Sequence, residues 1–283
     1  MKTKKIIALL LVAVLAISAV TLAGCSKKKD ENAALIVGME CTYPPFCAKE
    51  DDGTPSGLEV DLIKDFGTYI GREIQVVDTA WDGLIPGLKN DSLDMVISSM
   101  TITEERQKEV DFSNPYCRMV MEVLVYKDSP VQTFDELNNE NVKIACKQGT
   151  VAQYFAQSAW PKAQLEILDD PSVVLTECAQ GKVDAAIYDE MSIYEFWKEH
   201  QDTTRVIPIT KEQNAANDYE GYIGVAFKKG NDELRQQFND FIKQYDKDGG
   251  FDKLTKKYFA EEEAKYKEMG FVWFFDIDFQ SFE

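Results

Sequence analysis

Residues 35–97 read LIVGMECTYPPFCAKEDDGTPSGLEVDLIKDFGTYIGREIQVVDTAWDGLIPGLKNDSLDMVI. Short apolar runs at 35–39, 74–77 and 95–97 predict buried strands, because each is strand-length and uninterrupted by charge. Between the first two, Leu58, Leu62, Ile63, Phe66, Tyr69 and Ile70 recur at helical spacing and predict a helix over 57–70. Residues 81–89 predict a second helix, disturbed by Pro86, which has no N–H to donate. The resulting βαβαβ order argues for an α/β fold with a parallel sheet and helices on both faces.

A second set with the same rhythm follows an apolar run at 120–126. Strands are expected at 142–145, 165–168 and 185–188, with helices at 151–158 and 172–180. The two sets show no internal sequence repeat. Near the end, Leu234, Phe238, Phe241, Ile242 and Tyr245 form one helical face, and Gly249-Gly250 stops it. Leu254, Tyr258 and Phe259 suggest a further helix. The apolar tail at 271–275 is expected to pack on the protein, with a docking patch for a partner as the other reading.

The N-terminus sets the compartment. Lys2, Lys4 and Lys5 precede an uncharged apolar run from Ile6 to Val20, and Leu22-Ala23-Gly24-Cys25 follows. Positive, apolar and small-residue regions in that order describe a secretory signal peptide over 1–24 rather than a membrane-spanning helix. Cys25 and a polar linker over 25–33 come next. The chain carries a formal charge of −18, and the first 24 residues hold three lysines and no acid, so the remainder is more negative still. Such a chain should not bind nucleic acid or an anionic membrane by charge. Five cysteines remain beyond Cys25, an odd number, so at least one thiol stays free. Cys41 and Cys47 flank the Tyr-Pro-Pro-Phe turn, which leaves a disulfide between them open. Most of the others sit in apolar runs and read as small core residues. His200 is the only histidine and no cysteine pair has metal spacing, which argues against a zinc site or a histidine-based triad.

The segment from Met95 to Arg106 carries the most chemistry. A buried strand runs into Ser98, Ser99 and Thr101, and Thr103 before Glu104-Glu105-Arg106 reads as a helix N-cap. Exposed amides, hydroxyls and one guanidinium suit a carboxylate ligand, since arginine offers a planar two-pronged donor. A plain N-cap beside a surface arginine fits the same residues. Asp189 equally reads as a helix cap, Tyr43 and Trp81 as core aromatics, and Gly149-Thr150 as an ordinary loop.

Taken in order, further stretches join these. They are Tyr43-Pro44-Pro45-Phe46, Gly57-Leu58-Glu59-Val60-Asp61, Trp81-Asp82-Gly83-Leu84-Ile85-Pro86, Asp111-Phe112-Ser113-Asn114-Pro115-Tyr116, Lys147-Gln148-Gly149-Thr150, Gly181-Lys182-Val183-Asp184-Ala185-Ala186 and Tyr188-Asp189. From about residue 34 to 260 the ordered set resembles the polar amino-acid family of bacterial extracellular solute-binding proteins, the receptors of ABC importers. Leu-Ala-Gly-Cys resembles the lipobox, where the cysteine is acylated and the protein is held at the membrane by lipid.

The resemblance implies a two-lobed, type II periplasmic-binding-protein-like fold with two hinge strands. Lobe 1 would hold 34–118 plus 222–283, and lobe 2 would hold 119–221. It implies a monomer without cofactor that hands a polar L-amino acid to importer membrane subunits. By position, Arg106 matches the partner of the ligand α-carboxylate, with Ser99, Thr101 and Thr150 as hydrogen-bonding neighbours. Asp189, helped by Ser98, matches the partner of the α-ammonium. Tyr43 and Trp81 match the aromatic pair around the side chain. Glu40 matches an acid that reaches the side chain, and Lys147 resembles the lysine of glutamine-binding members. A Glu40–Lys147 pair would neutralise the pocket and favour a glutamine-like ligand, with a basic amino acid or cystine behind it. The other function class is an anchored dehydratase on the same scaffold, with Glu40 or Glu122 as the acid.

Overall fold

The computed structural model describes residues 33–217, 219, 221–260, 263–264, 266 and 273–282. The signal peptide, Cys25 and most of the linker lie outside the described residues.

The first sheet is built from β1 (Leu35–Met39), β4 (Ile74–Asp78), β5 (Met95–Val96), β6 (Val110–Phe112) and β14 (Ala226–Lys228), in the order β4-β1-β5-β14-β6. Strands β4, β1 and β5 are parallel, as the alternation requires, and β14 returns antiparallel between β5 and β6. Strand β1 shows why the register holds. Leu35, Val37 and Met39 face one core, and Gly38 faces the other. A Cβ at Gly38 would stand 2.5 Å from Leu93 Cδ1 and 3.2 Å from Leu84 Cδ2 of helix α2 (Trp81–Lys89), so a larger residue here would push both leucine side chains aside. That helix runs on through Pro86 instead of breaking there.

The second sheet repeats the plan with β8 (Met121–Tyr126), β9 (Lys143–Lys147), β10 (Gln164–Leu168), β11 (Ala185–Asp189) and β12 (Thr204–Pro208), ordered β10-β9-β11-β8-β12. Strands β10, β9 and β11 are parallel; β8 is antiparallel to both its neighbours. The fold is therefore α/β with two lobes, each centred on a mixed five-stranded sheet. Between the lobes the chain passes through β7 (Cys117–Arg118) and β13 (Tyr222–Ile223), which pair antiparallel.

Helix α1 (Leu58–Ile70) covers the first sheet with Leu58, Leu62, Ile63 and Phe66. Tyr69, expected on that face, is 51% exposed, its ring tilted against Phe241 at 5.5 Å between centroids. The tail settles between the two expectations. Trp273, Phe274, Phe275 and Phe279 are buried in the first lobe's core against Phe251, Phe259 and Phe46. Burial of these rings removes them from any docking patch. Cys117, Cys146 and Cys178 are buried among apolar side chains as read.

Candidate functional site

The ten non-lipid site residues named from the sequence come together. Glu40, Tyr43, Trp81, Ser98, Ser99, Thr101, Arg106, Lys147, Thr150 and Asp189 line one cavity between the lobes, joined by Met121, Val151, Ala152 and Tyr188.

The first lobe presents its groups from strand ends, where the chain leaves the sheet and side chains are free to converge. Helix α3 (Glu104–Glu109) starts at Thr103, whose Oγ1 accepts from the Arg106 amide at 3.2 Å. The cap fixes the first turn and so aims Arg106. Its Nη1 donates to the Thr101 carbonyl at 2.8 Å, and its Nη2 reaches the Gly149 carbonyl of the other lobe at 3.4 Å. Arg106 also lies over the Trp81 ring, 5.1 Å from the centroid. Loss of water around the guanidinium pushes its pKa down to about 10, which leaves it charged at neutral pH.

The second lobe answers with the ends of β9 and β11. Asp189 closes β11 and opens helix α6 (Glu190–Glu199), but its side chain makes no capping bond. It turns into the cleft and accepts from the Tyr43 hydroxyl at 3.3 Å. Desolvation pushes its carboxyl up to about 7, opposed by the Tyr43 hydrogen bond and by Lys147 and Arg106. Lys147, only 3% exposed, forms an ion pair with Glu40 across the cleft and lies 5.4 Å from the Trp81 ring centroid. Gly149 adopts a left-handed φ of 68°, which turns its carbonyl toward Trp81 Nε1 at 3.1 Å.

Two expected donors are engaged elsewhere. The Ser99 amide and hydroxyl both donate to Glu59 Oε1, at 2.7 and 2.9 Å, and Tyr116 donates to the same oxygen. Thr150 Oγ1 donates to the Lys147 carbonyl at 2.8 Å. Ser98 Oγ accepts from the Glu40 amide at 3.0 Å, which steadies the strand end carrying Glu40. Tyr43 stacks on Phe46 at 5.1 Å and meets Tyr188 edge-on at 5.9 Å; Trp81 contacts the two cations, so the aromatics stand as separate walls.

Sequence reasoning missed Glu59, which is 1% exposed. It sits on the same helical face as Leu62, Ile63 and Phe66, and an acid at a core position was the available signal. It holds Ser99, whose φ of 46° is left-handed and rare for serine. Glu122, weighed as a general acid, does not line the cavity.

The charges sort simply. Glu40 and Lys147 cancel one another. Arg106 and Asp189 remain, a cation on one lobe and an anion on the other, with apolar and aromatic walls between. Such a cleft matches a small zwitterion.

The model of the bacterial extracellular solute-binding proteins, family 3, matches residues 35–261. The L-cystine-binding protein TcyJ of Escherichia coli is 30% identical over 262 residues, covering 92% of this chain and 95% of that one. The arginine-binding extracellular protein ArtP of Bacillus subtilis is 32% identical over 259 residues, covering 90% and 98%. Among solved structures, an ancestral arginine-binding protein bound to glutamine matches with a TM-score of 0.71 at 29% identity, covering 82% of this chain and 100% of that one. An ancestral amino acid-binding protein, a precursor of cyclohexadienyl dehydratase, gives 0.71 at 34% identity, covering 80% and 96%. Among the described residues no helix is long and apolar enough to cross a membrane. The match over most of the chain, on a two-lobed fold with a charged interlobe cleft, places this protein in the bacterial extracellular solute-binding proteins, family 3.

Proposed function

We propose that the chain is the lipid-anchored receptor of an amino-acid ABC importer, holding one L-α-amino acid in the interlobe cleft. The observation that carries the reading is the opposed pair Arg106 and Asp189. The guanidinium takes the α-carboxylate through two parallel N–H donors, and the Asp189 carboxylate takes the α-ammonium. Each charge-assisted bond contributes about 1.5–3 kcal/mol, so two or three of them with side-chain burial support micromolar binding. Ser98, Ser99, Thr101 and Thr150 shape the carboxylate end, while Tyr43 and Trp81 wall the side chain.

The Glu40–Lys147 pair sets the ligand class. A glutamine side chain, with one acceptor and one donor, lies against both charges without separating them. The same pair favours L-cystine as a second reading, because the far end of cystine carries an ammonium and a carboxylate of its own. A relative that binds L-cystine by name agrees with that choice. Acylation at Cys25, read from the sequence, would supply the anchor. Glu40 is engaged by Lys147 and Glu122 lies outside the cavity, which supports binding over dehydration.

The test is a thermal-shift panel of glutamine, cystine, arginine, lysine and histidine on the purified protein. A ligand at 100 times its Kd should stabilise the fold by about 2.7 kcal/mol. Arg106→Ala should abolish the shift for every active ligand. Absence of a shift with all of them, or its survival in Arg106→Ala, overturns the reading.

A further inference from the structure

Cys41 and Cys47 bracket the turn that carries Tyr43. Their sulfurs lie 2.7 Å apart, inside ordinary contact distance, and the two side chains are 4% and 1% exposed. Both are thiols in this structure. The approach is imposed by the backbone. The Tyr43 amide donates to the Cys47 carbonyl at 2.8 Å and the Cys47 amide returns to the Tyr43 carbonyl at 2.9 Å, so the chain doubles back between the two cysteines. Cys41 is fixed further by its amide N–H, which donates to Asp78 Oδ1 at 3.0 Å. The far side of the turn rests on helix α1, whose Leu58 and Glu59 amides donate to the Pro45 and Phe46 carbonyls, each at 2.9 Å. Gly57 makes this possible, since a Cβ there would stand 2.4 Å from the Phe46 carbonyl oxygen.

We infer that Cys41 and Cys47 are a disulfide site, closed in the exported protein as a covalent brace beneath Tyr43. The inference rests on the extracellular reading above, because disulfides persist in oxidising compartments. Closure is thiol–disulfide exchange with an organic disulfide or the disulfide of a thiol oxidase. One cysteine thiolate attacks a sulfur of the oxidant, forming a mixed disulfide and releasing one thiol. The second cysteine then attacks the protein sulfur of that mixed disulfide, forming the Cys41–Cys47 bond and releasing the second thiol. The protein loses two hydrogens and two electrons, and the oxidant leaves as two thiols. Burial of both sulfurs places the exchange in the folding chain, before helix α1 closes over the turn. In the folded protein the same burial shields the bond from reduction. The bond would hold the Tyr43 loop at one width, and with it one wall of the cleft.

Trypsin leaves both cysteines on one peptide, residues 30–49. The exported protein is denatured without reductant, alkylated, digested and weighed. The expected peptide is lighter by two hydrogen atoms and carries no alkyl group, while Cys117, Cys146 and Cys178 are all alkylated. After reduction it takes up two alkyl groups. Alkylation of both Cys41 and Cys47 without reduction overturns the inference. The N-terminus found in the same spectra reports independently whether the chain was processed at Cys25 and exported. In urea, reductant should lower the unfolding midpoint of the native protein and leave that of Cys41→Ser/Cys47→Ser unchanged. An unchanged native midpoint, or an equal fall in both proteins, also overturns it.

Discussion

Ligand affinity should fall as the pH drops through 7, because of Asp189. Desolvation pushes this carboxyl up to about 7, and only its ionised form neutralises an ammonium. A bound ammonium beside it favours the charged form, so the carboxyl of the complex titrates lower than that of the free protein. Affinity is therefore full above pH 7 and is lost below it, as ligand must displace a proton. The apparent Kd rises by the factor one plus ten to the power 7 − pH, which is about twofold at pH 7 and about 30-fold at pH 5.5, or about 2 kcal/mol. Arg106, at about 10, keeps its charge throughout this range. Titration calorimetry at pH 8.0, 7.0, 6.0 and 5.5 (about the working range of the carboxyl) reads both the affinity and the proton released on binding. Asp189→Asn should bind weakly at pH 8 and show no slope. Glu122 and Glu190, buried but not lining the cleft, are also pushed up to about 8, so Glu122→Gln/Glu190→Gln is the control and should keep the slope. An affinity flat from pH 8 to 5.5, or a slope that survives Asp189→Asn, refutes the placement of the ammonium.

Three further outcomes follow from buried charge and packing. Lys147→Met or Glu40→Gln alone leaves an unpaired ion in the cleft and should cost about 3–5 kcal/mol in urea unfolding, while the double variant recovers most of it. Glu122 and Glu190 are raised by burial, with Glu190 adding to Glu122 by repulsion, and each leaves one carboxylate oxygen without a hydrogen bond. Their folded forms hold protons that the unfolded chain loses near pH 4.5, so stability is greatest below that value and falls as pH rises toward 8. The fall should be up to about 4 kcal/mol per group, read as a lower Tm at pH 8 than at pH 5, and Glu190→Gln should make it shallower while leaving Glu122's share. Phe279→Ala opens the stacked contact with Phe251, 4.5 Å between centroids, and should cost about 3–5 kcal/mol in the same denaturation.

The long elements were legible because period carries the information. Five-residue apolar strands and a helix with Leu58, Leu62, Ile63 and Phe66 on one face leave little choice about which side is buried. Strands of two or three residues, such as Cys117–Arg118, Tyr222–Ile223 and Ala226–Lys228, have no period to read, and the first two of them make the crossing between lobes. The candidate site was legible only through many stretches taken in order, since hydroxyls and a capped arginine after a buried strand fit a plain N-cap beside a surface arginine too. What the sequence hid was partnership. Glu59 stands in the first turn of helix α1, where an acid is common, yet it takes the hydroxyl of Ser99 that a ligand was expected to use. The tail's aromatic rings were expected to pack, with docking as the other reading, because only tertiary structure says whether Phe46 and Phe259 are there to receive them.

The contacts that close the cleft also explain how a ligand would be chosen. Trp81 and Arg106 reach the Gly149 carbonyl, Tyr43 reaches Asp189, and Glu40 reaches Lys147. On the proposed reading, an α-amino acid takes over Arg106 and Asp189, replacing two long hydrogen bonds of 3.4 and 3.3 Å with two charge-assisted ones. Closure then gains from the ligand at its weakest points. The Glu40–Lys147 pair behaves oppositely. A basic side chain that claims Glu40 strands Lys147 without an anion at 3% exposure, and an acidic one that claims Lys147 strands Glu40. An amide disturbs neither charge, and cystine replaces each partner with a new one. On that reading the cleft would select against net side-chain charge and leave size to the Tyr43 and Trp81 walls.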